Sequence, residues 1–229
     1  MKRLLSLSCL MLLFLMACTT PGWEDIDSGL FTEKPCKAPC WHNLTPGLST
    51  ADDVDHFVNT LSMDEWAGRF SDSYESGCKY IQISDTPDDP VNVVVEFHIE
   101  NGKLTFIQSV HSDIPTLGQI VDHLGPPEYI KAILAVGPEE SAYGLQIYYP
   151  KQGLAFLVAP DKKDVGYIKP AMRVFAIQYF SSGDLLSYLT VVGSCDLGQS
   201  GAIANAKNDI AKYVQTWSGF GEVKVITSK

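Results

Sequence analysis

Four cysteines beyond the N-terminal region, Cys36, Cys40, Cys78 and Cys195, are the residues whose chemistry is easiest to infer. Thiols can ligate zinc, attack a substrate or form disulfides, and zinc sites usually present cysteines in close pairs. Cys36 and Cys40 form the one close pair. Cys78 and Cys195 are far from that pair in sequence, and they lie 117 residues apart from each other. An even number of cysteines in an exported chain indicates disulfides. We therefore expect two disulfides, with three possible pairings, and a zinc site or a catalytic thiol as alternatives.

The first residues have the layout of a bacterial export signal. Lys2 and Arg3 precede an apolar run from Leu4 to Ala17, which is 14 residues long. As a helix this run reaches about 21 Å, whereas the core of a bilayer is about 30 Å thick. A cleaved leader is therefore favoured over a permanent membrane span.

Cys18 directly follows Leu15-Met16-Ala17, and this arrangement resembles the lipobox of bacterial lipoproteins. The resemblance implies that residues 1–17 are removed and that Cys18 is acylated and becomes the first residue. Several acyl chains hold a protein firmly on a membrane, whereas one chain holds it only marginally. We expect a protein anchored by the lipid on Cys18 to the extracytoplasmic side of a bacterial membrane. An ordinary secretion signal is the alternative.

The other polar residues form no recognisable catalytic or metal-binding motif. The sequence has no Gly-x-Ser-x-Gly, His-x-x-x-His or His-Glu-x-x-His, and no phosphate-binding loop or dinucleotide fingerprint. Residues 85–90 carry three carboxylates, which calcium could use, but the segment lacks the glycine and the terminal glutamate of an EF-hand. We predict no catalytic residue, no metal and no cofactor. The histidines expected to be structural are His42, His56, His98, His111 and His123.

The charge of the chain argues against one class of partner. The formal net charge is -10, and it becomes -12 when Lys2 and Arg3 leave with the leader. An acidic surface repels phosphate backbones and anionic headgroups, so we do not expect nucleic-acid binding. Hydrophobic residues make up 45% of the chain, which is typical of a globular protein. The body should therefore be folded, acidic and attached to the membrane only through its lipid.

Helix and strand signals occur twice in the same order. Thr50 with Asp53, and Thr116 with Gln119, form two capping boxes whose starts are 66 residues apart, and apolar residues at helical spacing follow each. Asn101-Gly102 is a strong hairpin signal. The predicted strands are Lys79–Ser84, Val91–Ile99, Leu104–Val110, Tyr129–Val136, Leu145–Tyr149 and Leu154–Val158. A further hairpin is predicted from Val174–Phe180 and Leu185–Val192, and a closing helix from Ser200 to Trp217.

This order predicts an α+β fold made of two divergent helix-then-antiparallel-meander units, with an added hairpin and a C-terminal helix. Residues 1–17 are the predicted leader, and residues 18–35 are a flexible tether that begins at the lipidated Cys18. The first unit covers residues 36–112 and the second covers residues 113–229. The sequence leaves open whether the two units share one sheet.

Two local patterns resemble known families. Cys36-Lys-Ala-Pro-Cys40-Trp41, followed by Thr45-Pro46-Gly47 and Ser49-Thr50, resembles the opening of a group of uncharacterised bacterial lipoproteins. Thr116, Ile120 and Leu124-Gly125-Pro126-Pro127, followed by strands, resemble SmpA/OmlA-type lipoproteins, which help to assemble outer-membrane proteins. The same unit is similar to the repeat of secreted β-lactamase-inhibitor-like proteins. These families bind proteins and are not enzymes, so the resemblance implies a role in protein contact.

The expected function is therefore protein binding or envelope assembly by a lipid-anchored, non-catalytic protein with an envelope protein as its partner. Nine aromatic residues lie between Tyr143 and Tyr188, and we expect the sheet to bury most of them. Those left exposed would favour contact with protein or glycan. Small-ligand or glycan binding is the second hypothesis, and an envelope hydrolase is the third.

Overall fold

The computed structural model describes residues 29–60, 68–73, 78–84, 93–110, 115–136 and 141–228. The α-helices in these ranges are α1 (Ala51–Thr60), α2 (Leu117–Leu124) and α3 (Leu185–Tyr213). The strands of the first half are β1 (Gly68–Ser73), β2 (Cys78–Ser84), β3 (Val93–Glu100) and β4 (Lys103–Val110). Those of the second half are β5 (Tyr129–Val136), β6 (Ser141–Tyr149), β7 (Leu154–Val158), β8 (Tyr167–Ile168), β9 (Val174–Phe180), β10 (Val214–Thr216), β11 (Gly221–Glu222) and β12 (Ile226–Ser228). Two short 3-10 helices cover Pro150–Gln152 and Lys162–Asp164.

Both predicted units contribute to one large sheet, and the fold is α+β as the sequence predicts. The order of its strands is β1-β2-β3-β4-β9-β7-β6-β5-β10, and β12 also pairs with β5. The pairs along this order are antiparallel, whereas β12 runs parallel to β5. A separate small sheet joins β8 and β11. The question that the sequence leaves open is thus answered, because β4 of the first unit pairs with β9 of the second.

The same local hydrogen bonds occur at the starts of α1 and α2. Thr50 and Thr116 each form a capping box, with Thr50 N donating to Asp53 Oδ2 at 2.7 Å and Thr116 N donating to Gln119 Oε1 at 2.9 Å. Thr50 forms a β-bridge with Lys103 just as Thr116 does with Arg173. Lys103 opens β4 and Arg173 directly precedes β9, so these two strands occupy equivalent places.

An approximate two-fold axis passes through the pairing of β4 with β9. Gln108 lies five residues after Lys103, and Gln178 lies five residues after Arg173, so the two glutamines are equivalent positions. They are also direct partners in the antiparallel ladder, and Gln178 Nε2 donates to Gln108 Oε1 at 2.7 Å. When a strand pairs antiparallel with its own equivalent, one residue must face its counterpart on the axis. The sheet therefore joins the strands of the first half to those of the second half at the pairing of β4 with β9.

The sheet buries apolar side chains on both faces. On one face, α1, α2 and the N-terminal segment cover the main core, which includes Leu30, Trp41, Val54 and Ile120. On the other face, α3 places Tyr188 on a smaller cluster that includes Phe106, Tyr148 and Phe180. Leu30 is 5% exposed, so the packed body extends further toward the N-terminus than the predicted start at Cys36.

The predicted strand Leu185–Val192 is wrong, because these residues form the first part of helix α3. The β-branched run Thr190-Val191-Val192 favours a strand locally. The Asp184 side chain, however, accepts a hydrogen bond from Ser187 N at 2.7 Å and caps a helix. Leu185, Tyr188 and Leu189 then reach the smaller cluster at helical spacing. The C-terminal helix accordingly begins at Leu185, not Ser200, and ends at Tyr213.

The structure bears out disulfide formation at three of the four predicted cysteines. Cys36 is bonded to Cys40, and Cys78 is also disulfide-bonded. Cys195 lies within α3, and its side chain is outside the described part of the chain. The Cys36–Cys40 disulfide closes a short loop in the N-terminal part of the packed body.

Candidate functional site

A cleft of about 550 Å³ lies between helix α1 and the turn at residues 41–44, and we call it the α1 cleft. Its walls are residues 42–45, Leu48 and Ser49 on one side, and Asp53, His56, Phe57 and Thr60 of α1 on the other. This volume is within the range of about 300–1,000 Å³ that small-molecule sites occupy. The cleft is the first of three candidate sites in the described part of the chain.

A rigid turn forms one wall of the α1 cleft. Trp41 and Leu44 exchange two backbone hydrogen bonds of 2.8 Å, and the two residues between them have positive φ, 49° at His42 and 66° at Asn43. Positive φ at both central positions defines the tight turn that suits a two-residue hairpin, and Asn accepts this conformation readily. Asn43 N also donates to Cys36 Sγ at 3.4 Å, so the disulfide contacts the turn directly.

Aromatic packing attaches this turn to α1. The Trp41 side chain is 1% exposed, and its ring lies 5.4 Å from that of Phe57 and 5.9 Å from that of Phe97. The His42 ring lies 5.8 Å from the same Phe57 ring. Edge-to-face and tilted pairs at these distances are favourable. The two walls of the cleft are therefore joined through the core.

The second candidate is the Glu96–His98 pair on β3. His98 Nε2 contacts Glu96 Oε1, and Gln82 Nε2 donates to Glu96 Oε2 at 2.7 Å. The His98 ring is nearly buried, between the rings of Tyr80 at 4.4 Å and Phe106 at 4.7 Å, and its Nδ1 has no partner among the described residues. Burial raises the pKa of Glu96, but the hydrogen bonds from His98 and Gln82 and the charge of His98 outweigh this effect. The net pKa of Glu96 therefore lies below its ordinary value.

Glu96→Gln is expected to lower the free energy of unfolding by about 1–2 kcal/mol at pH 7, because two hydrogen bonds lose a charged acceptor. The lowered pKa means that the carboxylate stabilises the fold fully above its unfolded pKa, near 4.5, and loses this contribution as the pH falls through the folded value. Urea denaturation at pH 7, 4.5 and 3 should therefore show the gap between wild type and variant narrowing at low pH. A gap that stays constant would contradict the assignment.

The third candidate is the β8–β11 surface, defined by Val165, Tyr167 and Phe220. These side chains are 38%, 45% and 40% exposed. Tyr167 lies in β8, where it pairs with Glu222 while Ile168 pairs with Gly221; Val165 lies two residues before β8, and Phe220 directly precedes β11. Ile168 itself is buried and joins β8 to the main core. Three large apolar side chains are thus held at the surface of one rigid two-stranded unit.

Partly buried and polar groups support the β8–β11 surface. The ring of Trp217 lies 5.4 Å from that of Phe220 in an edge-to-face arrangement. Val223 N donates to Gly166 O at 2.9 Å, which extends the pairing of the two strands. Tyr167 Oη donates to Glu222 Oε1 at 3.2 Å. Hydrogen bonding and ring packing therefore hold the Tyr167 and Phe220 side chains.

The structure places the residues that the sequence singled out in different parts of the chain. His42 and His56 both line the α1 cleft, His98 pairs with Glu96, and the His123 ring lies 5.0 Å from that of Phe31. Most of the nine aromatics are buried as expected, while Tyr167 and Phe175 are exposed. Cys18, His111 and the acidic loop of residues 85–90 lie outside the described residues.

Sequence reasoning missed Glu96, Val165 and Phe220. Alternation along β3 places Glu96 on the face of the sheet opposite the main core, but its contact with His98, two residues away on the same face, needed the folded strand. Tyr167 and Phe220 are 53 residues apart in sequence, and only the pairing of β8 with β11 places Tyr167 beside the strand that Phe220 directly precedes. No local signal could have found that surface.

Within the described ranges, no three side chains of His, Cys, Asp or Glu are arranged so that they could hold a metal ion. No helix in the part of the chain that the structure describes is long and apolar enough to cross a membrane. Comparison with models of protein families, with curated proteins and with solved structures gives no match. The function is therefore argued from the chemistry of the three candidate sites.

Proposed function

We propose that this chain is a lipid-anchored extracytoplasmic protein that binds another envelope protein and performs no catalysis itself. The anchor rests on the basic start, the apolar run and the Leu15-Met16-Ala17-Cys18 sequence, which resembles a lipobox. The binding role rests on the β8–β11 surface. The negative charge of the body is compatible with a protein partner and leaves attachment to the membrane to the acyl chains.

The single observation that carries the proposal is the grouping of Val165, Tyr167 and Phe220 on one two-stranded unit. Scattered apolar side chains are normal on a protein surface, whereas several large exposed ones on or beside one two-stranded unit favour a contact site. Aromatic residues are enriched at the centres of protein interfaces. Tyr167 and Phe220 have few rotatable bonds, so fixing them in an interface costs little conformational entropy.

Charged side chains lie beside the apolar side chains of the β8–β11 surface, as they do at the rim of many protein interfaces. Glu222 accepts the hydrogen bond of Tyr167, and Asp164, which directly precedes Val165, forms an ion pair with Lys169. Interfaces commonly surround an apolar centre with such polar groups. A partner would therefore bury the three apolar side chains and meet mixed charges at the edge.

The test is site-specific photo-crosslinking in cells that make the lipidated protein. A photoreactive amino acid in place of Tyr167 should capture one recurrent envelope protein. The matched control is the same amino acid in place of Phe175, which is 43% exposed on β9 and lies outside the β8–β11 surface. Equal capture at positions 167 and 175 would show that the partner does not bind specifically at the β8–β11 surface.

A further inference from the structure

The α1 cleft has a chemical character that separates it from the β8–β11 surface. Of the described residues that line it, none is Lys or Arg, and Asp53 is the one carboxylate. Both Thr50 N and Thr50 Oγ1 donate to Asp53 Oδ2, at 2.7 Å and 2.9 Å, so the capping box already engages this carboxylate. These hydrogen bonds keep the pKa of Asp53 below its ordinary value. Among the described residues, the lining of the cleft therefore has none of the cationic side chains that bind anionic ligands, and its one carboxylate is already hydrogen-bonded.

Neutral polar groups and rings make up most of the lining. Asn43 and His56 have exposed side chains that can donate and accept hydrogen bonds, and Thr45 and Thr60 add hydroxyl groups. The rings of His42 and Phe57 lie 5.8 Å apart, and they are tilted by 42°. A ligand with many hydroxyl or amide groups and one apolar face would match both features.

The backbone of the cleft argues against an extended peptide as the ligand. Its described walls are a turn, in which Trp41 and Leu44 already exchange both backbone hydrogen bonds, and the helix α1. Peptides that bind in extended form add to an open strand edge, and these walls provide none. The Leu48 side chain lines the cleft and is 78% exposed, so it can cover an apolar face of a bound ring.

We infer that the α1 cleft binds a neutral saccharide. The C–H face of a sugar ring contacts Phe57 and His42, and its hydroxyl groups exchange hydrogen bonds with Asn43, His56 and Thr45. The turn braced by Cys36–Cys40 holds these groups in place before the ligand arrives, which limits the entropy lost on binding. This site is separate from the β8–β11 surface. It lies within residues 42–60, far in sequence from the exposed aromatic residues of the second half.

The test is an NMR titration of the folded body, residues 18–229 with Cys18→Ser, against maltotriose, cellotriose and chitotriose. At least one sugar should shift the amide signals of residues 42–49 and 56–60 in a saturable manner, with no comparable shifts at β8 or β11. Trialanine is the peptide probe and should leave these signals in place. Absence of saturable shifts with all three sugars at about 20 mM, or equal shifts with trialanine, would overturn the inference; that concentration covers dissociation constants in the millimolar range.

Two variants localise the effect. In Asn43→Gly the side-chain amide is lost, whereas the backbone can keep its φ of 66° because glycine adopts positive φ readily. This variant should bind the sugar about tenfold more weakly. Asn101→Gly is the matched control, because Asn101 also has positive φ, 51°, but lies in the β3–β4 turn outside the cleft lining. His56→Ala on the exposed face of α1 should weaken binding as well. Unchanged affinity in both Asn43→Gly and His56→Ala would overturn the assignment of the cleft.

Discussion

Cys18→Ala is expected to abolish acylation of the chain and to leave residues 1–17 attached. The lipobox resemblance assigns both events to this cysteine, since its sulfur receives the first acyl group and its residue becomes the new N-terminus. Growth with labelled palmitate followed by mass spectrometry of the purified protein measures both events at once. Wild type should carry label and begin at Cys18, whereas the variant should carry no label and retain the mass of the leader.

Cys9→Ala is the matched control for this experiment. Cys9 lies inside the apolar run Leu4–Ala17, before the predicted cleavage point, so its loss should change neither acylation nor processing. Label that persists in Cys18→Ala, or wild type that carries none, would contradict the lipid anchor. In the second case an ordinary cleaved secretion signal would explain the N-terminal region.

Gly153→Ala is expected to lower the free energy of unfolding by about 3–4 kcal/mol, a large share of the total stability of a domain. Gly153 has a φ of 68°, which costs a residue with a side chain about 1–2 kcal/mol. A Cβ there would also overlap the backbone oxygen of Phe180 and lie 2.7 Å from Pro39 Cβ. Neither β9 nor the disulfide-bonded segment can move away without losing core contacts, and such crowding adds about 1–3 kcal/mol.

Gly102→Ala separates the two causes. Gly102 has a similar φ of 76°, but a Cβ there would meet no atom within 4 Å. This control should lose only about 1–2 kcal/mol, the backbone part of the effect. Urea denaturation of both variants checks the difference. Equal losses in the two variants would show that the close approach of Pro39 and Phe180 to Gly153 does not contribute.

The parts of the fold that local chemistry determines could be predicted from the sequence. The two capping boxes place the starts of α1 and α2, and the strands Tyr129–Val136, Leu154–Val158 and Val174–Phe180 match β5, β7 and β9 at both ends. In each case the signal lies within a few residues of the element. The α+β class follows from the order of these elements.

Tertiary contacts decided the parts that could not be predicted. The edge strand β1, with the sequence Gly-Arg-Phe-Ser-Asp-Ser, has no apolar alternation, so its pairing with β2 left no local signal. The start of α3 depended on a cap at Asp184 and on packing against Phe180, which overrode the β-branched run after Leu189. The strands β10 and β12 are three residues each and are defined only by their pairing with β5.

The candidate sites also combine residues that are recognisable in the sequence with contacts that only the fold creates. The residues of the α1 cleft were visible as single polar residues, but His42 and His56 are 14 positions apart and line one cleft because Trp41 packs on Phe57. Tyr167 stood among the aromatics of the second half, although nothing local distinguished it from buried Tyr179. Burial and long-range pairing, which the sequence does not encode locally, separate a surface residue from a core residue.

The most direct measurement of the central claim is the ratio of partner captured in intact cells by a photo-crosslinker at position 167 to that captured at position 175. The proposed binding through the β8–β11 surface predicts one envelope protein at position 167, at least about tenfold above position 175. Phe220→Ser should reduce that capture, because it removes an exposed part of the same surface and leaves Ile168 in the core. Equal capture at both positions, or capture at 167 that Phe220→Ser does not change, would contradict the proposed function.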